Sequence, residues 1–238
     1  MKVFVIIPAA GLGTRMAPSL KGKKPAASKQ FTELGGTPIL IHTLRKFTAN
    51  TQVSEICIAL RGNEIEGFRA CMGKEPKGKN VHLVEGGKNR QQSVANALKS
   101  ISAAEDDIVL VHDAVRPFVT REIIDEVINA TQKYGAAIAG TPAVDTVKQV
   151  ERTADGALIK ATIPRERVVL AQTPQGFRYG LLKKAFDDAT ADGFVGTDEA
   201  SLLERSGHQV AVVMGSARNI KITSPGDMEL AEFYLKTS

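Results

Sequence analysis

A glycine turn running into cations is the first place in this chain where chemistry could occur. Gly11-Leu12-Gly13-Thr14-Arg15 follows Pro8-Ala9-Ala10, and Lys29 stands beyond it. Small residues let phosphate oxygens approach bare backbone, and mobile Arg and Lys side chains can complete a polyphosphate cradle. A tight structural turn would use the same glycines. The turn lacks the third glycine of the dinucleotide fingerprint, and the chain contains no GxxxxGK[ST] sequence. Asp113-Ala114-Val115-Arg116 places an acid that suits a metal or a ribose three residues before a base that suits a second anion. A structural ion pair or turn cap is the plainer account of the same spacing. Arg165 is either a further anion ligand or a surface charge. No nucleophilic triad or metal cluster accompanies these groups: His42, His82, His112 and His208 are scattered, and Cys57 and Cys71 have neither metal nor redox spacing. Cations, glycine turns and one or two Asp suit phosphoryl or nucleotidyl transfer, in which the protein positions groups and neutralises charge.

Such residues need a scaffold that ends several strands at one place. Val3 to Ile7 reads as a buried strand closed by Pro8. A helix capped by Thr37, with Pro38 in its first turn, leads to the strand Glu55–Leu60. A helix from about Glu64 to Met72 follows, then the strand Val81–Glu85, closed by Gly86-Gly87. The alternation continues through a helix at Asn89–Ile101, a strand at Ile108–His112, a helix capped by Thr120 that runs to Tyr134, and a short strand at Ala136–Ala139. Between Thr141 and Gln172 the pattern changes to two β-branched pieces around Ala154-Asp155-Gly156, a hairpin signal. Helices at Tyr179–Ala189 and Asp198–Ser206, strands at Gln209–Val213 and Asn219–Thr223, and a helix from Pro225 to Leu235 complete the chain. Within the last strand, alternation sets Asn219, Lys221 and Thr223 on one face. The expected fold class is α/β: a Rossmann-like, mostly parallel sheet with helices on both faces and a protruding β-hairpin arm. In such sheets ligands bind beyond the carboxyl ends of the strands, which singles out Pro8–Arg15, Gly86–Arg90 and Asp113–Arg116. The arm is poor in large apolar residues and should lie against a second subunit.

Bulk properties narrow the partners. The 238 residues are 43% hydrophobic and 24% charged, which fits one globular domain over 1–238. The N-terminal apolar run is too short for a signal peptide or a membrane span, so a cytoplasmic location and no membrane partner are expected. The net charge is +5, yet aromatics are 5% and Trp is absent, so base-stacking surfaces are scarce. Much of the excess is local: Arg15, Lys21, Lys23, Lys24 and Lys29 crowd one loop, which suits a small polyphosphate better than nucleic acid.

With these residues assembled, the chain resembles the 2-C-methyl-D-erythritol 4-phosphate cytidylyltransferases over its whole length. The resemblance rests on an ordered set of stretches. The first are Pro8–Arg15, Lys29-Gln-Phe31, Gly86-Gly87 with Arg90 and Ser93, and Val111-His-Asp-Ala-Val-Arg-Pro117. Asp145–Lys148, Thr173-Pro-Gln175, Thr197-Asp-Glu-Ala-Ser201 and Asn219–Thr223 complete it. The resemblance implies a nucleotidyltransferase fold in which Pro8, Ala9, Ala10, Gly11 and Gly13 wrap CTP. It puts Arg15 and Lys29 on the phosphates and Lys221 at the α-phosphate. Gly87, Ser93, Asp113, Ala114 and Thr173 go to the nucleotide, and Arg116, Thr146 and Arg165 to the polyol phosphate. It further implies Mg²⁺ or another divalent cation, and a homodimer in which the 141–172 arm serves the neighbouring site. Two departures stand out: a longer, more basic loop at 17–25, and Lys88 where many relatives carry an acidic or small polar residue. A ribitol-5-phosphate cytidylyltransferase would share the fold and the CTP loop, and a non-catalytic nucleotide- or RNA-binding module would share only the binding features.

Overall fold

The computed structural model describes residues 1–11, 28–73, 75 and 79–237. Strand β1 (Val3–Pro8) sits in the middle of the sheet because its apolar run is continuous: Val3, Val5 and Ile7 pack on one face, Phe4 and Ile6 on the other. A strand buried on both faces is apolar at every position and must be covered by two helical layers.

The elements follow in order. A small hairpin, β2 (Glu33–Leu34) and β3 (Thr37–Pro38), turns at Gly35 and Gly36, whose φ values of 58° and 76° suit residues without a Cβ. Helix α1 (Ile39–Thr48) begins after Pro38; Thr37, expected as its cap, is instead spent in the hairpin. Next come β4 (Glu55–Leu60), α2 (Gly62–Met72), β5 (Asn80–Glu85), α3 (Arg90–Ser100) and β6 (Ile108–Val111). Helix α4 (Arg121–Tyr134) is capped by Thr120 and closed by Gly135 at φ 85°. Strand β7 (Ala136–Pro142) leads into the arm, β8 (Val147–Thr153) and β9 (Gly156–Ile163). Strand β10 (Val169–Arg178), α5 (Tyr179–Ala191), α6 (Glu199–Arg205), β11 (Ala211–Met214) and α7 (Pro225–Lys236) complete the chain.

Seven strands form one sheet in the order β11-β7-β10-β6-β1-β4-β5. All neighbours are parallel except β10, which runs antiparallel to both β6 and β7. Helices α1, α2 and α4 cover one face through Leu40, Phe47, Phe68 and Val127, and α3, α5 and α6 cover the other through Val94, Leu98, Phe186 and Leu203. The α/β class and the helices on both faces are therefore as expected.

Two further expectations change. Strand β10 lies where the sequence suggests only the end of a hairpin and an irregular stretch. Its Gln172-Thr173-Pro174-Gln175-Gly176 centre lacks apolar alternation, and its register against β7 shifts between Ala171 and Gln175. Asn219–Thr223 is not a sheet strand. It is tied down by the Ile222 N–H donating to the Val115 carbonyl at 3.0 Å, and Asn219 and Ile222 are both buried, so strict alternation fails.

The arm forms a separate two-stranded sheet, with Leu158 and Ile159 left 66% and 65% exposed. Among the described residues no helix is long and apolar enough to cross a membrane.

Candidate active site

A cleft of about 980 Å³ opens beyond the carboxyl ends of β1, β4, β5 and β6. Its floor is Pro8–Gly11. Parallel pairing continues past Pro8, since the Ala9 N–H donates to the Ala59 carbonyl at 2.7 Å. The loop is then held by its own carbonyls: the Gln30 amide donates to that of Ala9, and Arg61 Nε to that of Ala10 at 3.0 Å. Gly86 permits the close approach of the β5 loop, because a Cβ there would lie 2.4 Å from the Ala10 Cβ. The Gly87 N–H donates to Ser93 Oγ at 3.0 Å, and the Ser93 hydroxyl donates to the Asn89 carbonyl at 2.8 Å. Asn89 itself caps α3 through the Gln92 N–H.

Opposite this floor stands a cluster of charges. Asp113, just past β6, is buried and faces three cations: Lys221 Nζ at 2.9 Å, Arg116 Nε at 3.1 Å and Arg90 Nε at 3.5 Å. Burial pushes its carboxyl up, but Lys221, Arg90 and Arg116 together hold it well below the usual carboxylate range. Arg116 is fixed by donating from Nη1 to the Asn219 carbonyl at 2.7 Å. Arg90 donates from Nη1 to both oxygens of Glu199, at 2.6 and 2.8 Å.

Behind Asp113 lies an uncharged relay. The Asp113 N–H donates to Thr173 Oγ1 at 3.0 Å, and Thr173 Oγ1 lies 3.1 Å from His112 Nδ1. His112 Nε2 lies 3.1 Å from the Arg116 carbonyl, which can only accept. The tautomer that satisfies all three groups therefore carries its hydrogen on Nε2 and accepts the Thr173 hydroxyl at Nδ1. Burial lowers the His112 pKa to about 4, which keeps the ring neutral near pH 7.

The fold thus brings together Pro8, Ala9, Ala10, Gly11, Lys29, Gly87, Ser93, Asp113, Ala114 and Lys221. Gly13 and Arg15 lie outside the described residues, as does most of the basic loop. Thr173 does not line the cleft: its hydroxyl is taken up behind Asp113, where it sets the backbone. Arg116 is likewise drawn onto Asp113 and Asn219 rather than placed on the cleft wall. Thr146 and Arg165 are not among the lining residues of their own chain, and Arg165 donates to the Val144 carbonyl at the base of the arm.

Lys88 does line the cleft, along with Arg61, Asn63, Glu85 and Asn96, to which the sequence reading gave no role. Arg61 immediately follows β4, so the strand-end rule applied to that strand would have found it. Glu199 lies in the Thr197–Ser201 stretch that carries the resemblance, but no role could be read for it, because its partner Arg90 is 109 residues away.

The donor set does not fit a resident metal ion. Among the described residues no three His, Cys, Asp or Glu side chains converge, and Asp113 is already matched by three cations. It does fit a polyanion: glycine-rich backbone on one side, Lys29, Lys88, Arg90 and Lys221 around it.

Comparison with known proteins agrees in fold and length. A family model described as 2-C-methyl-D-erythritol 4-phosphate cytidylyltransferase matches residues 3–237. The protein of that name from Acidobacterium capsulatum is 59% identical over 236 residues, covering 99% of this chain and 98% of the relative. That from Solibacter usitatus is 52% identical, covering 99% and 96%. The crystal structure of the Thermus thermophilus protein of that name superposes with a TM-score of 0.77 at 35% identity, covering 99% of this chain and all of that one. The Francisella tularensis structure gives 0.80 at 36%, covering 98% and 99%. A match this complete, on a chain whose cleft lining fits a polyanion, means that the chain belongs to the 2-C-methyl-D-erythritol 4-phosphate cytidylyltransferase family.

Proposed function

We propose that this chain, acting as a single nucleotidyltransferase domain, transfers CMP from CTP to 2-C-methyl-D-erythritol 4-phosphate. The products are 4-diphosphocytidyl-2-C-methyl-D-erythritol and pyrophosphate, a step of non-mevalonate isoprenoid biosynthesis. The observation that carries the reading is the convergence of Lys221, Arg90 and Arg116 on Asp113 beside a glycine-floored cleft. The acceptor phosphate is largely dianionic at neutral pH, with a second pKa near ~6, so its oxygen can attack the α-phosphorus without a general base. The new O–P bond forms as the bond to the β-phosphate oxygen breaks, and pyrophosphate leaves with that electron pair.

The obstacle is repulsion between anions, which Arg15, Lys29 and Lys221 offset most where charge grows in the transition state. Lys221 is the most exposed of Asp113's three cations, at 37% against 29% for Arg90 and 11% for Arg116, so it is the one free to move to a phosphate. A divalent cation enters with the triphosphate as Mg·CTP, since such ions are commonly held by substrate phosphates. Pro8, Ala9, Ala10, Gly11, Gly13, Gly87, Ser93, Asp113 and Ala114 shape the nucleotide site, with Thr173 setting Asp113 from behind.

Thr146 and Arg165 serve the polyol phosphate across a homodimer formed through the 141–172 arm, while Arg116 is held by Asp113 and the Asn219 carbonyl. The exposed apolar side chains of the arm support that assembly. The reaction uses small, water-borne substrates in the cytoplasm and needs neither nucleic acid nor a membrane.

Pyrophosphate release tests the reading. The enzyme with Mg·CTP should release it on addition of methylerythritol phosphate; turnover of ribitol 5-phosphate alone would reassign the acceptor. An isotopically chiral α-phosphorus should emerge inverted, and retention would indicate a covalent enzyme intermediate.

A further inference from the structure

Residues 197–201, Thr-Asp-Glu-Ala-Ser, do not line the cleft, yet they carry a carboxylate, Glu199, that is 1% exposed. A charge at such depth is costly unless it is paired and held. Its partner belongs to the cleft wall: Arg90 Nη1 donates to both Glu199 oxygens, while Arg90 Nε reaches Asp113 and Asp113 reaches Lys221. Four charges of alternating sign therefore run from the interior to the cleft.

Glu199 has little freedom to follow a moving Arg90. The Gln91 amide donates to the Phe194 carbonyl at 3.0 Å and accepts from the Gly196 N–H at 2.9 Å, which fastens the approach to α6. Gln175 donates to Asp198 Oδ2 at 2.8 Å and accepts from the Ala200 N–H at 3.1 Å, which fastens the helix start. Asp198 and Ser201 close a capping box between these points. The backbone on both sides of Glu199 is thus tied to α3 and β10.

We propose that Glu199 is a positioning residue for cytidylyl transfer: it fixes Arg90, which together with Asp113 sets where the Lys221 ammonium stands. The inference rests on the reading of Lys221 as the α-phosphate ligand. Asp113 is contested by three cations, two of them anchored elsewhere, Arg116 on the Asn219 carbonyl and Arg90 on Glu199. Without the charge of Glu199, Arg90 turns onto Asp113 or toward the nucleotide, and either move displaces Lys221.

The test is steady-state kinetics on the whole enzyme with Mg·CTP and methylerythritol phosphate, comparing Glu199→Gln, Arg90→Lys, the double variant and Lys221→Ala. Glu199→Gln should lower kcat about 10- to 100-fold, the cost of misplacing a reacting group by about an ångström, with a smaller change in the CTP KM. The double variant should be no slower than Arg90→Lys alone, because both changes break one link. Wild-type kcat in Glu199→Gln, or losses that multiply in the double variant, overturn the proposal. If Glu199→Gln does not fold, Arg90→Lys carries the test, since it keeps the charge but cannot fork between two acids; unchanged kcat there is equally fatal. A slow Lys221→Ala beside a fast Glu199→Gln rejects only the role of Glu199. A fast Lys221→Ala rejects the reading of Lys221 and, with it, the endpoint of the chain of charges.

Discussion

Lys221 stands 2.9 Å from Asp113 and partly in solvent, so its side chain carries little of the fold. Lys221→Ala should melt close to the wild type while kcat falls by roughly 10²- to 10³-fold, the loss expected when a group that stabilises transition-state charge is removed. Unchanged kcat/KM in a folded variant would remove it from the reaction. His112 makes a separate prediction. Its pKa is lowered to about 4 by burial, against about 6.5 unfolded. The unfolded chain therefore takes up a proton, as pH falls through 6.5, that the native ring refuses until about 4, so stability drops across that window. Between pH 7 and pH 5 the loss from this one ring should be roughly 2 kcal/mol, read from urea unfolding at the two values. A ring that titrates near 6.5 by proton NMR in the native enzyme would rule it out. At this scale Asp113 was legible because it sits at a strand end of an α/β sheet, and Lys29 because it is a cation beyond the glycine turn. Glu199 was not, since nothing local distinguishes a buried acid from an exposed one.

Elements place these residues by close backbone approach. Gly86 is a tight point, where the β5 loop meets the β1 loop: a Cβ would meet the Ala10 Cβ at 2.4 Å and Ser93 Oγ at 3.0 Å. Gly86→Ala should therefore push Ala10 into the nucleotide site, raise the CTP KM and cost about 1–3 kcal/mol in stability, as overpacking does. Calorimetric titration with CTP is the check, and wild-type affinity would show that the loops have slack. Thr120 offers a control away from the cleft. Its Oγ1 accepts the Ile123 N–H at the start of α4, so Thr120→Ala should lower stability by about 1 kcal/mol and leave kcat alone. Elements with strong periodicity or capping residues, α4 and β1 among them, read directly from the sequence. Strand β10 did not, because pairing with β6 and β7 rather than alternation makes it a strand. The Thr37 cap failed for a related reason: two glycines able to take positive φ turned the preceding residues into a hairpin.

At the scale of the molecule the arm is where assembly is tested. Leu158 and Ile159, consecutive on β9 and so on opposite faces of the ribbon, both stand exposed, where a two-stranded ribbon has no core of its own. Replacing both by Asp should shift the protein toward monomer in sedimentation velocity and weaken use of the polyol phosphate more than of CTP. A variant that remains dimeric with normal acceptor kinetics would place the interface elsewhere. The chain by itself determined the class of the fold and the floor of the cleft, because helix and strand periods, glycine turns and strand-end positions are local properties; the choice of Lys221 came only from the resemblance. The tertiary structure alone decided which charges meet. Arg90, Asp113, Glu199 and Lys221 come from α3, the end of β6, α6 and an unpaired stretch before α7, and their pairing depends on how the sheet is wound. Sequence separation carries no record of that, whereas burial and distance do: a charge at 1% exposure must have found its partner for the chain to fold at all.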